Sequence, residues 1–278
     1  MEVDVVVCVK NQAKALDNVL RQIVHEIPFK KLIVVYGSST DKTKETAEKY
    51  TDAVFWDEDK GLGAARNLGV AKATAEIIAM IDSDVILTKE WYQQLLHAFQ
   101  DDNVAAVMGT CLYGYGCKPL EAYSEYLRRK DNVNLGCSNA MFRRKTVLEI
   151  GNFNKEIKGA GEDYDLYLRL LKAGYKWVWV KQATVLHPMT LPNYLNHFRW
   201  WARGIPYIKE IKRVSVEVSL GRVYSRQFFL IIEDAVKGIT LSQRVHPIWL
   251  FLSPLRRGLC VIETIKALKG LPESSFSV

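Results

Sequence analysis

Short apolar runs rich in β-branched residues alternate with helix-periodic segments from the start of the chain to about Ala173, and this alternation constrains the fold more than any other feature. Residues 3–9 (V-D-V-V-V-C-V) read as a buried strand, and Leu16, Val19, Leu20, Ile23, Val24 and Ile27 follow at helical spacing. Residues 32–35 return to strand and complete a βαβ unit. Ser39, Thr40 and Asp41 offer an N-cap to a polar helix over 42–50. Strands over 53–56, 77–81 and 104–108 then alternate with helices over 64–73 and 91–99. A two-glycine loop over 113–118 follows, and a further helix opens after Gly161 with Leu166, Leu168, Leu170 and Leu171 as its apolar positions. Parallel strands need crossover connections, so the expected fold is α/β, a mostly parallel central sheet with helices on both faces.

The strand over 77–81 ends in Asp82-Ser83-Asp84. Its carboxyl end is where open α/β sheets bind ligands. Two neighbouring carboxylates repel each other and resist desolvation, so a divalent cation is the natural neutraliser, and the cation in turn suggests a phosphorylated ligand. A solvated acidic turn explains the same tripeptide, and the segment by itself leaves both open.

Gly61-Leu62-Gly63-Ala64-Ala65-Arg66 partly imitates a dinucleotide fingerprint, but it follows Asp57-Glu58-Asp59-Lys60 rather than a strand, and Arg66 stands at the third glycine. A nicotinamide-type dehydrogenase does not fit, and no P-loop pattern occurs. As a helix start, the segment lets backbone amides face an anion with Arg66 as a bidentate phosphate contact; a simple helix cap is the alternative. A second acidic cluster, Gly161-Glu162-Asp163-Tyr164-Asp165, opens its helix as the macrodipole favours. The preceding Gly159-Ala160-Gly161 would also let a ligand come close to Glu162 and Asp163.

Of 278 residues, 49% are hydrophobic and 25% charged, which describes a globular chain with room for a large core. Residues 1–188 carry 25 Lys/Arg and 25 Asp/Glu, whereas 189–278 carry 13 against 6, so the tail holds the whole net charge of +7. Its apolar runs at 228–232 and 248–252 fall far short of the ~18 residues a membrane span needs. Basic residues mixed with Trp249, Phe251, Leu255, Arg256, Arg257, Leu259 and Ile262 suit helices on an anionic membrane surface, or a basic helical subdomain packed on the body. The opening M-E-V-D-V-V-V has no basic leader and reads as cytoplasmic. Five scattered cysteines with no C-x-x-C pair argue against a disulfide framework or a zinc site.

In order along the chain stand V-V-V-C-V-K-N at 5–11, V-V-Y-G-S-S-T-D-K-T at 34–43, the A-R-N at 65–67, Asp82-Ser83-Asp84, N-A-M-F-R-R at 139–144 and Gly161-Glu162-Asp163. Together these landmarks resemble the family 2 inverting glycosyltransferases of GT-A fold, over roughly residues 3–190. The resemblance implies transfer of a sugar, with inversion, from a nucleotide diphosphate donor, UDP- or GDP-linked, assisted by Mg²⁺ or Mn²⁺. It implies metal binding by Asp84, with Asp82 reaching the ribose and the metal's surroundings, and His187 as a further metal ligand. Asp163 matches the catalytic base, and Glu162 beside it the acceptor's positioning. Arg66 is expected near the diphosphate, and backbone around Val7 and Val9 along the nucleoside. Members commonly carry an acidic pair in a V-D-D-G-S-like stretch that contacts the base. Here Tyr36-Gly37-Ser38 replaces it, so Tyr36 either stacks on the base or belongs to the core.

The segment His197-Phe198-Arg199-Trp200-Trp201-Ala202-Arg203-Gly204 resembles one that closes over the donor in lipid-linked members, which puts Arg203 or Arg199 near the phosphates and the tryptophans near the acceptor. The expected organisation is a nucleotide-sugar-binding and catalytic domain over 1–190, then a basic, aromatic, mainly helical extension over 191–278 on the acceptor side. A lipid-linked sugar or polyprenyl phosphate acceptor, with peripheral attachment to the cytoplasmic leaflet, follows from that extension. A sugar-phosphate nucleotidyltransferase would share the layered fold, but its G-x-G-x-R loop is replaced by Lys10-Asn11-Gln12-Ala13. A non-catalytic nucleic-acid-binding protein would need a motif that is not found, and the body is electroneutral, so no nucleic acid is expected.

Overall fold

The protein's structure, a computed structural model, describes residues 1–121, 124, 136–204 and 249–268. The elements run β1 (Val3–Val9), α1 (Ala13–Glu26), β2 (Lys31–Tyr36), α2 (Thr43–Glu48), β3 (Val54–Trp56), α3 (Leu62–Lys72), β4 (Ile77–Asp82) and β5 (Ile86–Leu87). Then come α4 (Trp91–His97), β6 (Val104–Tyr113), β7 (Asn139–Arg143), α5 (Arg144–Glu149), α6 (Glu162–Lys172), β8 (Lys176–His187), α7 (Leu191–Gly204) and α8 (Trp249–Leu268). The apolar run at 228–232 lies outside the described residues.

The strands form one sheet in the order β3-β2-β1-β4-β7-β6-β8-β5. Pairing is parallel across β3/β2, β2/β1, β1/β4 and β6/β8, while β7 enters antiparallel between β4 and β6, and β5 caps the edge antiparallel to β8. Because strand side chains alternate between faces, Val3, Val5, Val7 and Val9 of β1 enter one core while Val6 enters the other. The first core holds α1, α2 and α4 through Leu16, Leu20, Ala47 and Leu95; the second holds α3, α5 and α6 through Val70, Val147, Leu166 and Leu170. On α1, Leu16, Val19, Leu20 and Ile23 are fully buried at the predicted spacing, so truncating one of them to Ala costs about 2–5 kcal/mol.

Local chemistry levels the strands. Asp4, fully buried on β1, accepts the N–H groups of Thr74 (2.5 Å) and Ala75 (2.8 Å) and so fixes the turn that feeds β4. Register then pairs Cys8 with Asp82 and Val9 with Tyr36, so β1, β2 and β4 end side by side. Asp41 accepts Ala13 N–H at 2.9 Å and Thr43 N–H at 3.1 Å, tying the start of α1 to that of α2. It caps from one residue before Lys42, the residue flanking the helix.

β8 runs beside β6 across two register irregularities and finishes with His187 opposite Tyr113. α7 and α8 pack on each other. The buried Arg256 guanidinium lies 4.8 Å over the Phe198 ring and donates to Tyr194 Oη at 3.1 Å, and Arg203 Nε donates to Glu263 at 2.8 Å. Among the described residues no helix is long and apolar enough to cross a membrane.

Candidate active site

A cavity of about 1040 Å³ opens over the level ends of β1, β2 and β4. Val9, Lys10, Gly37 and Asp57 line it at one end, Asp82, Ser83, Asp84 and His187 beneath the middle, and Glu162 and Asp163 at the start of α6. Its remaining wall is α7, through Asn193, His197, Trp200 and Trp201, with Arg257 of α8.

Among the described residues, Asp84 is held by two side chains. Gln12 Nε2 donates to Oδ2 at 3.1 Å, and His187 Nε2 faces Oδ1 at 3.2 Å. Burial by itself would raise this carboxyl, but the hydrogen bonds from His187 and Gln12 outweigh it and hold Asp84 below the usual range. His187 is the mirror case: burial pulls it down, Asp84 pulls it up, and the result is about 11. The Gln12 carbonyl accepts from Ser83 Oγ, so one amide orients the whole acidic turn.

Arg66 is buried, and its guanidinium bridges Glu162 through Nη1 and Asp82 through Nη2 (3.1 Å). The sequence reading aimed Arg66 at a diphosphate and Glu162 at an acceptor; the structure gives each the other as partner. Burial raises Glu162 to about 8 against the pull of Arg66. Asp163 is half-buried beside it, raised by burial and pulled back by Arg66, with Oδ1 accepting Tyr164 N–H at 2.7 Å. Burial also pushes the Cys8 thiol up to about 12 and raises Cys137, so neither cavity cysteine is a thiolate nucleophile.

Other placements depart from the sequence reading or choose between its alternatives. Of the two roles open to the helix start at Gly61, the structure fits the simple cap: the Leu62 and Gly63 amides donate to Lys158 O and Ile157 O, each at 3.1 Å. The close approach that these glycines permit is made by the chain itself: a Cβ at Gly63 would lie 2.2 Å from Asn154 O. Val7 is fully buried in the core, so Cys8 and Val9 meet the cavity instead. Of the two roles open to Tyr36, it takes the core one, and its neighbour Gly37 lines the cavity. Arg203 is held by Glu263 and Arg199 donates to Asn196 at 3.2 Å, so neither lines the cavity. Trp200 and Trp201 do line it.

Among the described residues, no three His, Cys, Asp or Glu side chains converge as a metal cage. Asp84 and His187 do converge, while Asp82 is turned to Arg66. A carboxylate paired with an imidazole suits Mn²⁺ provided the cation displaces the His187 proton and further oxygens come from a bound ligand. The sequence shows no role for Gln12 or Asp57; the usable signal is position, since Asp57 directly follows the strand over 53–56 and Gln12 stands three residues past Val9.

A family model described as Glycosyl transferase family 2 matches residues 4–151. The chain is 29% identical over 194 residues to an O-antigen chain rhamnosyltransferase of Salmonella anatum, covering 63% of this chain and 61% of that one. It is 25% identical over 231 residues to a glucosyl-dolichyl phosphate glucuronosyltransferase of Haloferax volcanii, covering 72% of each. The chain thus spans about three fifths of the Salmonella relative's length. Among solved structures, a mannosyltransferase from Pyrobaculum calidifontis in complex with GDP-Man and Mn²⁺ superposes with a TM-score of 0.66 at 17% identity, over 98% of this chain and 88% of that one. Glucosyl-3-phosphoglycerate synthase from Mycobacterium tuberculosis, in complex with Mg²⁺ and UDP, gives 0.54 at 18% identity over 74% of this chain and 78% of that one. The fold is the GT-A fold of those enzymes, and with a family match over more than half its length the chain belongs to glycosyl transferase family 2.

Proposed function

We propose that this chain transfers a sugar from a UDP- or GDP-linked donor to an acceptor, with inversion and with the help of Mn²⁺ or Mg²⁺. The observation that carries the reading is the convergence of Asp82, Asp84, His187, Arg66 and Asp163 on one cavity at the carboxyl ends of β1 and β4. Asp84 and His187 would hold the cation, which supplies charge neutralisation for the departing diphosphate. Arg66 fixes Asp82 beside them. Asp163 would accept the proton of an acceptor hydroxyl, a role that a raised carboxyl pKa suits. Glu162 locks Arg66 and so acts as a positioning residue.

The acceptor would enter past α7, between Trp200, Trp201 and Arg257. Exposed Trp200, Trp201, Leu255 and Ile262 on α7 and α8, with the tail's excess positive charge, support a lipid-linked acceptor met at an anionic membrane surface. The name of the Haloferax relative, which specifies a lipid-phosphate sugar acceptor, supports the same direction. Incubation with UDP- and GDP-sugars and Mn²⁺ is expected to release free nucleoside diphosphate. No release and no cation-dependent nucleotide binding would sink the reading, and pyrophosphate from a nucleoside triphosphate would favour a nucleotidyltransferase.

A further inference from the structure

The order β3-β2-β1-β4 puts the exit of β3 three strands from Asp84, roughly 14 Å at the ~4.8 Å strand spacing. A diphosphate held at Asp84 would leave its nucleoside lying over β1 and β2 towards β3. At that end of the cavity Lys10, Asp57 and Asp59 line the wall, with Lys158 beside Gly61.

Asp59 is engaged on both oxygens. Its Oδ1 accepts Ser38 N–H at 2.9 Å and Lys10 Nζ at 3.4 Å, and its Oδ2 accepts from Ser38 Oγ. Asp57 differs. Its own N–H donates to Tyr36 O at 3.0 Å, and its Oδ1 accepts Asp59 N–H at 2.8 Å, which together hold the carboxylate in place. Oδ2 has no hydrogen bond among the described residues. Gly37 has no side chain to screen the group: a Cβ there would sit 3.6 Å from Asp57 Oδ1 and 3.1 Å from Lys10 Cδ. Burial raises the Asp57 carboxyl, so a ligand N–H that replaced its lost water would be well rewarded.

A carboxylate accepts hydrogen bonds and cannot donate them. At the centre of the pairing edge, uracil and guanine present a ring N–H, whereas cytosine and adenine present a bare ring nitrogen whose lone pair a carboxylate repels and offer it only the exocyclic amino group to one side. We infer that Asp57 reads the base of the donor nucleotide by accepting its ring N–H, which selects UDP- or GDP-linked sugars against CDP- and ADP-linked ones. The inference rests on the donor site proposed above. It assigns the specificity contact to the exit of β3, not to Tyr36 on β2.

Binding of UDP, GDP, CDP and ADP with Mn²⁺, measured by calorimetry on the full chain and on Asp57→Asn, tests it. The wild type is expected to bind UDP or GDP about tenfold or more tightly than CDP and ADP, the effect of one charge-assisted hydrogen bond. In Asp57→Asn the amide oxygen can keep Asp59 N–H while the amide nitrogen, a donor, faces the base. The preferred nucleotide is expected to lose about tenfold and the gap to CDP and ADP to narrow. Equal loss for all four nucleotides would mark a ribose or phosphate contact and overturn the inference. So would a wild type without base preference, a result that needs no folded variant. If none of the four binds the wild type, the donor site itself is refuted, a failure distinguishable from loss of base selection alone.

Discussion

Asp84 shares its carboxylate oxygens between Gln12 and His187, whereas Asp163 faces the cavity from the first turn of α6, so the two are expected to fail differently on substitution. Asp84→Asn keeps the shape but removes the charge that would bind a cation, and titration with Mn²⁺ and nucleoside diphosphate should show metal-dependent affinity lost. Asp163→Asn should bind donor and cation within about twofold of wild type while transfer to a hydroxyl falls by about 10²–10⁴, the usual worth of general base catalysis. If both variants turn over normally, the assignments are wrong. The pH dependence follows from the same carboxyl. A base must be ionised to act, and burial raises Asp163, so kcat/KM for a hydroxyl acceptor should fall on the acid side at a pH above the ordinary aspartate range. Asp163→Asn should erase that limb and Glu162→Gln should leave it, since Glu162 serves Arg66. At this scale the Asp82-Ser83-Asp84 turn was legible because a buried strand aims it. The partners of Arg66 were not, because Glu162 lies 96 residues along the chain and only the folded sheet brings it back.

At the scale of elements, β1, β2 and β4 were readable from their apolar runs, α1 from its period and the start of α2 from Asp41, since local burial and local hydrogen bonds decide them. The antiparallel entry of β7 was not. Its five residues, Asn139 to Arg143, carry no mark of direction, and pairing with β4 is decided by contacts made far along the chain. Gly61 and Gly63 left an anion site and a simple helix cap both open for a similar reason: the group that packs on them is the chain at 154–158, which only the fold brings near. This gives a test. Gly63→Ala would drive a Cβ to within 2.2 Å of Asn154 O and 2.7 Å of Ile157 O, an overpacking cost of about 1–3 kcal/mol. Gly258→Ala, on α8 with nothing among the described residues within 4 Å of its Cβ, should instead gain about 0.5–1 kcal/mol in its helix. Urea unfolding of both variants checks the pair, and a neutral Gly63→Ala would mean that the 154–158 segment does not rest on α3.

For the whole molecule, charge and apolar surface are segregated in a way that the sheet does not require. Residues 1–188 are electroneutral, and the excess of +7 belongs to the remainder, from which α7 and α8 contribute exposed Trp200, Trp201, Leu255 and Ile262. Arg256 is buried between the two helices, on Tyr194 and Phe198, and so meets no membrane surface directly. Basic residues near an anionic membrane contribute about 1 kcal/mol each, and that attraction fades as salt shortens the Debye length from about 10 Å at 0.1 M to about 3 Å at 1 M. Apolar insertion does not fade with salt in this way. The full chain is therefore expected to float with vesicles containing phosphatidylserine at 0.1 M salt, and to float less at 1 M. Neutral phosphatidylcholine vesicles should recruit it weakly at either salt. The double variant Leu255→Ser with Ile262→Ser, both side chains being about half exposed, should keep its fold and its release of nucleoside diphosphate. It should nonetheless lose most of the flotation that survives 1 M salt. Flotation that ignores lipid charge would assign the attachment to apolar contact alone, and no flotation with anionic vesicles at 0.1 M salt would remove the membrane from the proposed function, leaving Trp200, Trp201 and Arg257 to meet a soluble acceptor.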